Sequence, residues 1–231
     1  MIKKSILPLA AAAMLFASCD NKAKVGNITL SNQTDSVSYC IGNSIGESLK
    51  RDGLVDLNED VMIDAMRQAI QGGEAQITRQ QAGPIIRKYV ENIKKSAGEK
   101  AKKEGEAFLT KNKTKAGVVT TESGLQYEVI KEGNGAKPLA TDKVKVAYKG
   151  TLIDGTEFDA NKGISFPLNG VIKGWTEGVQ LMTVGSKYKF YIPSNLAYGA
   201  RQAGALIKPN STLIFEVELL AIENTDAKAT K

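Results

Sequence analysis

Histidine is missing from all 231 residues of the chain. Its absence removes the usual general base near neutral pH, the Ser-His-Asp and Cys-His nucleophile pairs, and every His-containing metal site. Cysteine occurs twice, as Cys19 and Cys40, too few for a four-thiolate metal site or a disulfide framework. Aromatic residues are sparse at 6%, and Trp175 is the single tryptophan. There is no Gly-rich phosphate loop and no nucleophile elbow. The chemistry left open needs no imidazole, no thiolate-bound metal and no redox pair, and no cofactor is implied.

What is present describes a globular chain, 42% apolar and 24% charged, long enough for one large domain or two small ones. The net charge of +6 is localised. Residues Arg87 to Lys115 hold ten basic and four acidic side chains, so this stretch carries the whole excess. Nucleic-acid grooves interleave such charge with aromatic or base-reading side chains. Only Tyr89 and Phe108 fall here, so the run reads as the solvated face of a helix, with no nucleic-acid partner.

The first eighteen residues read as an address. Lys3 and Lys4 precede an apolar run from Ile6 to Phe16, and Ala17-Ser18 lead to Cys19. This is the basic, apolar and small-residue order of a secretory signal, and the run is too short to span a bilayer. A lone cysteine at that boundary resembles a bacterial lipoprotein signal, in which Cys19 becomes the lipidated first residue. Phe16 stands where such signals usually have leucine. The expectation is an exported chain, held by a lipid to the cell envelope of a Gram-negative bacterium. Residues 19–34 are mostly polar and suit a tether. Cys40 then has no partner and is expected to be a buried thiol acting as a small hydrophobe.

Two periods follow. From Asp35 apolar residues recur at helical spacing: Val37, Ile41, Ile45 and Leu49, with Gly53 as a stop. Met62, Ala65, Met66, Ala69 and Ile70 repeat the pattern after an Asn58 cap and before Gly72-Gly73. Thr78 and Gln81 fit a capping box. Pro84 either kinks that third helix or begins a helix at Gly83. Three short amphipathic helices give a thin core, so residues 35–93 are expected to pair with a second copy. Residues 94–116 read as an exposed, charged linking helix, slightly weakened by Gly98 and Gly105.

From Gly117 the period is two. Leu125, Tyr127 and Val129 alternate, as do Val144, Val146 and Tyr148. So do Tyr188, Phe190 and Ile192, and then Leu213, Phe215, Val217 and Leu219, with one helical piece near Trp175 to Leu181. Residues 117–224 therefore read as an α+β domain with an antiparallel sheet, and 225–231 as a tail.

Four separated motifs now acquire a meaning. Val146–Asp159 (VAYKGTLIDGTEFD), Val171–Gly178 (VIKGWTEG), Ile192–Gly199 (IPSNLAYG) and Thr212–Leu219 (TLIFEVEL) resemble, in family order, the FKBP-type peptidyl-prolyl isomerases. Upstream, Ser38–Gly42 (SYCIG), Gly105–Leu109 (GEAFL) and Ser123–Tyr127 (SGLQY) resemble the Mip/FkpA branch, whose N-terminal helices dimerise. The resemblance implies a bent antiparallel sheet around one short helix and catalysis of X–Pro rotation in proline-containing exported polypeptides. It also implies site residues. Trp175 is the pocket floor; Tyr148, Phe158, Phe166, Val171 and Phe215 are its walls. Asp159 lies beside Tyr148, the Ile172 N–H donates to a ligand carbonyl, Tyr198 offers its hydroxyl, and Leu206 and Ile207 tip the overhanging loop. Rapamycin-type macrolides are implied as ligands. Ile164, Gly170 and Ala203 depart from the residues that well-known members carry. Two other readings use the same fold, a non-catalytic docking module and a holdase chaperone.

Overall fold

The structure, a computed structural model, describes residues 27–223. The expected signal segment, Cys19 and the tail 225–231 lie outside the described residues. Contacts divide the chain after Ile45, within the first helix.

Helix α1 (Gln33–Arg51) starts where Asn32 Oδ1 accepts the Asp35 N–H at 2.9 Å, which satisfies one orphan donor of the first turn. Its apolar side chains Val37, Tyr39, Ile41 and Ile45 are 37–55% exposed. Cys40 is exposed as well, contrary to the expected burial, because no residue of α1 is buried. Helix α2 (Glu59–Ile70) carries the expected cap, Asn58 Oδ1 accepting the Val61 N–H at 3.1 Å. It also buries nothing, and Ile70 is 84% exposed.

Helix α3 runs without interruption from Arg79 to Asn112. At 1.5 Å per residue its 34 residues span about 51 Å. The capping box forms, with Gln81 Oε1 accepting the Thr78 N–H at 2.9 Å. Pro84 lies inside the helix, in its second turn, so no new helix begins at Gly83.

The rest is a six-stranded, wholly antiparallel sheet. Its strands are β1 (Val118–Thr120), β2 (Gln126–Lys131), β3 (Lys143–Leu152), β4 (Glu157–Pro167), β5 (Lys187–Ile192) and β6 (Leu213–Glu223). The order across the sheet is β1-β2-β5-β6-β3-β4. Helix α4 (Lys173–Leu181) covers one face. Along β6, Leu213, Phe215, Val217 and Leu219 are buried in strict alternation, as a strand with one face on a core requires. Two glycines let α4 lie close to the sheet. A Cβ on Gly174 would come within 2.5 Å of Ile192 Cγ2, and one on Gly178 within 2.7 Å of Phe190 Cε1.

Tyr191 breaks the alternation of β5. It points to the face opposite α4 yet is only 5% exposed, because α3 covers that face. The Phe108 and Tyr191 rings lie 5.9 Å apart. Asn112 Nδ2 donates to Gln126 Oε1 at 3.0 Å, and Gln126 Nε2 donates to the Leu109 carbonyl at 3.0 Å. Thus the charged helix is not merely exposed. Lys100–Glu104 and Lys102–Glu106 pair on its outer side, while Gly98, Gly105 and Asn112 are buried. These three recur every seven residues, the spacing of one helix face.

Gly105 marks the closest approach, since a Cβ there would sit 2.3 Å from Thr212 Oγ1. Gly105→Leu should therefore destabilise the sheet domain by about 1–3 kcal/mol, the usual cost of overpacking. Urea unfolding followed by the fluorescence of Trp175 measures this. An unchanged midpoint would mean that α3 does not dock there.

Candidate active site

Helix α4 begins at its N-cap Ile172, whose carbonyl accepts the N–H groups of Trp175 at 2.9 Å and Thr176 at 3.1 Å. This turn drives the Trp175 indole into the sheet, where it is 4% exposed. Three rings meet it. Tyr148 from β3 and Phe215 from β6 approach edge-on, at 5.2 and 5.1 Å with interplanar angles of 90°. Phe166 from β4 lies at 5.4 Å. Edge-to-face contacts of this kind are favourable beyond simple burial. Phe158 stands edge-on to Phe215 at 5.4 Å.

Above this floor opens a cavity of about 1090 Å³. All eleven residues expected from the sequence line it: Tyr148, Phe158, Asp159, Phe166, Val171, Ile172, Trp175, Tyr198, Leu206, Ile207 and Phe215. The expected neighbours Tyr148 and Asp159 are bonded, the phenol donating to Asp159 Oδ2 at 2.5 Å. The Ile172 N–H finds no acceptor among the described residues. Tyr198 and Leu206 are exposed at the rim, 41% and 45%, whereas Ile207 is buried at 7%. The loop carrying them is braced by reciprocal hydrogen bonds between Ala203 and Ile207, at 3.0 and 3.3 Å. An aromatic floor with a few polar groups at its edge can hold a compact apolar ring and orient the polar backbone around it.

Comparison with known proteins agrees with this geometry. Residues 134–220 match the model of the FKBP-type peptidyl-prolyl cis-trans isomerases, and 34–129 match that of the domain amino-terminal to them. Outer membrane protein MIP of Legionella longbeachae is 40% identical over 224 residues, covering 92% of this chain and 96% of that one. The FKBP-type 22 kDa peptidyl-prolyl cis-trans isomerase of Escherichia coli is 43% identical over 192 residues, covering 80% and 93%. Among solved structures, FkpA from Escherichia coli superposes with a TM-score of 0.63 at 33% identity, covering 84% of this chain and 99% of that one. The chain belongs to the FKBP-type peptidyl-prolyl isomerase family.

Within this FKBP-type pocket, the three departures also face the cavity. Ile164, Gly170 and Ala203 are all lining residues, so the departures lie on the cavity surface. The sequence reading missed Arg201, Gly204 and Ala205, which complete the rim. Nothing in their periodicity marks them; only their place between Tyr198 and Leu206 could have pointed there.

Burial first, then the hydrogen bond to Asp159 and its negative charge, with Tyr198 adding to them, hold the Tyr148 phenol well above its ordinary value of 10.0. A raised acid keeps its proton longer in the native state. Its stabilising contribution is full below the unfolded value and is lost as pH rises through the native one. The phenolate absorbance difference between wild type and Tyr148→Phe should therefore be absent at pH 10.0 and emerge only above it. A midpoint at or below that value would show that the Tyr148–Asp159 bond is not made.

Proposed function

We propose that this FKBP-type isomerase catalyses X–Pro rotation in exported polypeptides through the roles expected from its sequence. Rotation about an amide costs about 18–20 kcal/mol because planar resonance must be broken. X–Pro bonds populate both isomers and interchange over tens of seconds or more, which stalls folding. No bond to carbon is made or broken, so neither nucleophile nor metal is needed. At the twisted transition state the proline nitrogen becomes pyramidal and the amide loses charge separation. A less polar surrounding then favours that state over the planar ground state.

Trp175, Phe158 and Phe166 hold the proline ring in this reading, with Val171, Ile207 and Phe215 excluding water beside it. Asp159 and Tyr148 set the field at the turning carbonyl. The Ile172 N–H and the Tyr198 hydroxyl fix the flanking backbone, which removes orientational freedom before the rotation. Leu206 meets the side chain before proline. The observation that supports the reading best is the meeting of three edge-on or tilted rings on Trp175, directly beside the Tyr148–Asp159 pair.

Residues 35–93 act as a dimerisation module in this proposal, linked through residues 94–116 to an isomerase domain spanning 117–224. Val37, Ile41, Ile70 and Ile86 are each more than half exposed in a single chain, and a second copy would cover them. Among the described residues no helix is long and apolar enough to cross a membrane. Attachment to the envelope is assigned to Cys19 as a lipid anchor, in keeping with a relative named as an outer membrane protein.

Adding the full chain to a proline-limited refolding reaction should raise its rate, and rapamycin should abolish the increase. Asp159→Leu should lower kcat/KM by about tenfold, equivalent to roughly 1.4 kcal/mol of transition-state stabilisation. No acceleration by the folded wild type would favour the docking or holdase reading, and full activity of Asp159→Leu would remove that carboxylate from the mechanism. Sedimentation should give twice the chain mass; a monomer at micromolar concentration would overturn the pairing of the helices.

A further inference from the structure

The loop over the pocket is held from behind. It leaves β5 through Pro193, passes Tyr198, Arg201 and Leu206, and returns through Pro209-Asn210 to β6. Its neck is closed where the Asn210 N–H donates to the Gly199 carbonyl at 2.7 Å. Asn210 adopts φ +60°, and it is the single non-glycine residue with positive φ among those described. Such a conformation is costly for most residues and best tolerated by asparagine after glycine. The same side chain reaches α3, where Asn210 Nδ2 donates to the Gly98 carbonyl at 3.3 Å. Pro209 packs on that turn so closely that a Cβ on Gly98 would stand 3.0 Å from Pro209 Cβ.

We propose that α3 latches the loop over the pocket, so that Asn210 and Gly98 are positioning residues of the isomerase site. Glycine at position 98 exposes a helix carbonyl at short range, and asparagine at 210 supplies both the left-handed turn and the donor. The latch fixes the neck, and the neck fixes the rim formed by Tyr198, Arg201 and Leu206. The aromatic floor belongs to α4 and the sheet and does not depend on this contact. Loss of the latch therefore acts on the grip of the flanking peptide and leaves the rotating centre intact. The inference rests on the isomerase reading of the pocket, and its test separates the two.

The experiment compares the full chain with Asn210→Asp, Asn210→Gly and Gly98→Ala on a Leu-Pro tetrapeptide, with kcat and KM determined separately. Asn210→Asp keeps the size but replaces the donor with an acceptor facing the Gly98 carbonyl. Asn210→Gly removes the donor while accepting positive φ without strain. Both should raise KM by about three- to tenfold and leave kcat within about twofold, as expected for a lost binding interaction. Gly98→Ala, which pushes Pro209 outward, should move KM in the same direction. Hydrogen exchange at the Ala203 and Ile207 amides should quicken in the first two variants, a readout independent of turnover. An unchanged KM and unchanged exchange in both Asn210 variants would overturn the latch. So would a fall in kcat at constant KM. A wild type that fails to isomerise would overturn the isomerase reading instead, and exchange would then decide the latch alone.

Discussion

The Trp175 indole is the fixed point of the molecule. It enters at the first turn of α4 and is nearly sealed, 4% exposed, between rings from β3, β4 and β6. Those strands are neighbours in the sheet, in the order β6-β3-β4, so their register decides where the rings meet. Within it, Gly150 of β3 lies opposite both Phe215 and Asp159. That pairing sets the Asp159 strand position one step from the aromatic wall. The same contacts that hold the helix on the sheet therefore shape the cavity. A truncation at Trp175 costs about 3–5 kcal/mol of core stability as well as the floor of the site, which makes Asp159 the cleaner position for separating function from folding.

The second constraint is the closeness of α3 to the back of the sheet. Large side chains at the contact would hold α3 further from the chain it covers. Glycine at 98 and 105 brings backbone against Pro209 and Thr212 instead. At this distance main-chain groups become partners: the Gly98 carbonyl takes the Asn210 amide and the Leu109 carbonyl takes Gln126. A helix that buries a phenol also changes its chemistry. Tyr191 donates to Glu128 at 2.6 Å, and burial, then that bond, raises its pKa well above the ordinary phenol value. Its role is structural, because it lies on the face opposite α4.

How much of this could be read from the residues depended on which faces were buried. The caps at Asn58 and Thr78 were legible because side-chain acceptors at helix starts are local chemistry. The strands β2, β3, β5 and β6 showed their alternation because each has one face on the core. The edge strand β4 did not, because eight of its eleven residues are exposed, so Glu157–Pro167 shows no period. Strand β1 was lost for the same reason. The expectation of an exposed helix over residues 94–116 failed differently. Gly98, Ala101, Gly105, Phe108 and Asn112 are spaced as one helix face, but hydropathy gives small residues little weight, and close packing is what makes them buried. The burial expected for Cys40 failed because its helix hides no residue within one chain. The eleven pocket residues came from motif resemblance rather than periodicity. Arg201, Gly204 and Ala205 lie on an irregular loop with no period to mark them, and only their place between Tyr198 and Leu206 ties them to the rim.

An enzyme without histidine and without a placed nucleophile must act through differences in solvation and restraint. The ground-state amide is planar and strongly dipolar; the twisted one is non-planar and less dipolar. In the proposed mechanism a cup lined by Trp175, Phe158 and Phe166 solvates the planar form's charge separation poorly and so loses little as that separation falls. The polar groups stand at the edge, where they can restrain the peptide flanks without solvating the amide that must turn. Tyr148 serves this arrangement by remaining protonated. Its hydroxyl is committed to one Asp159 oxygen, which restrains the orientation of the carboxylate. Each 1.4 kcal/mol of such discrimination is a factor of ten in rate, so several weak, well-fixed effects are sufficient. Fixing them is the work of the scaffold: Ile207 ties the loop to the core, while Tyr198 and Leu206 stay exposed at the rim.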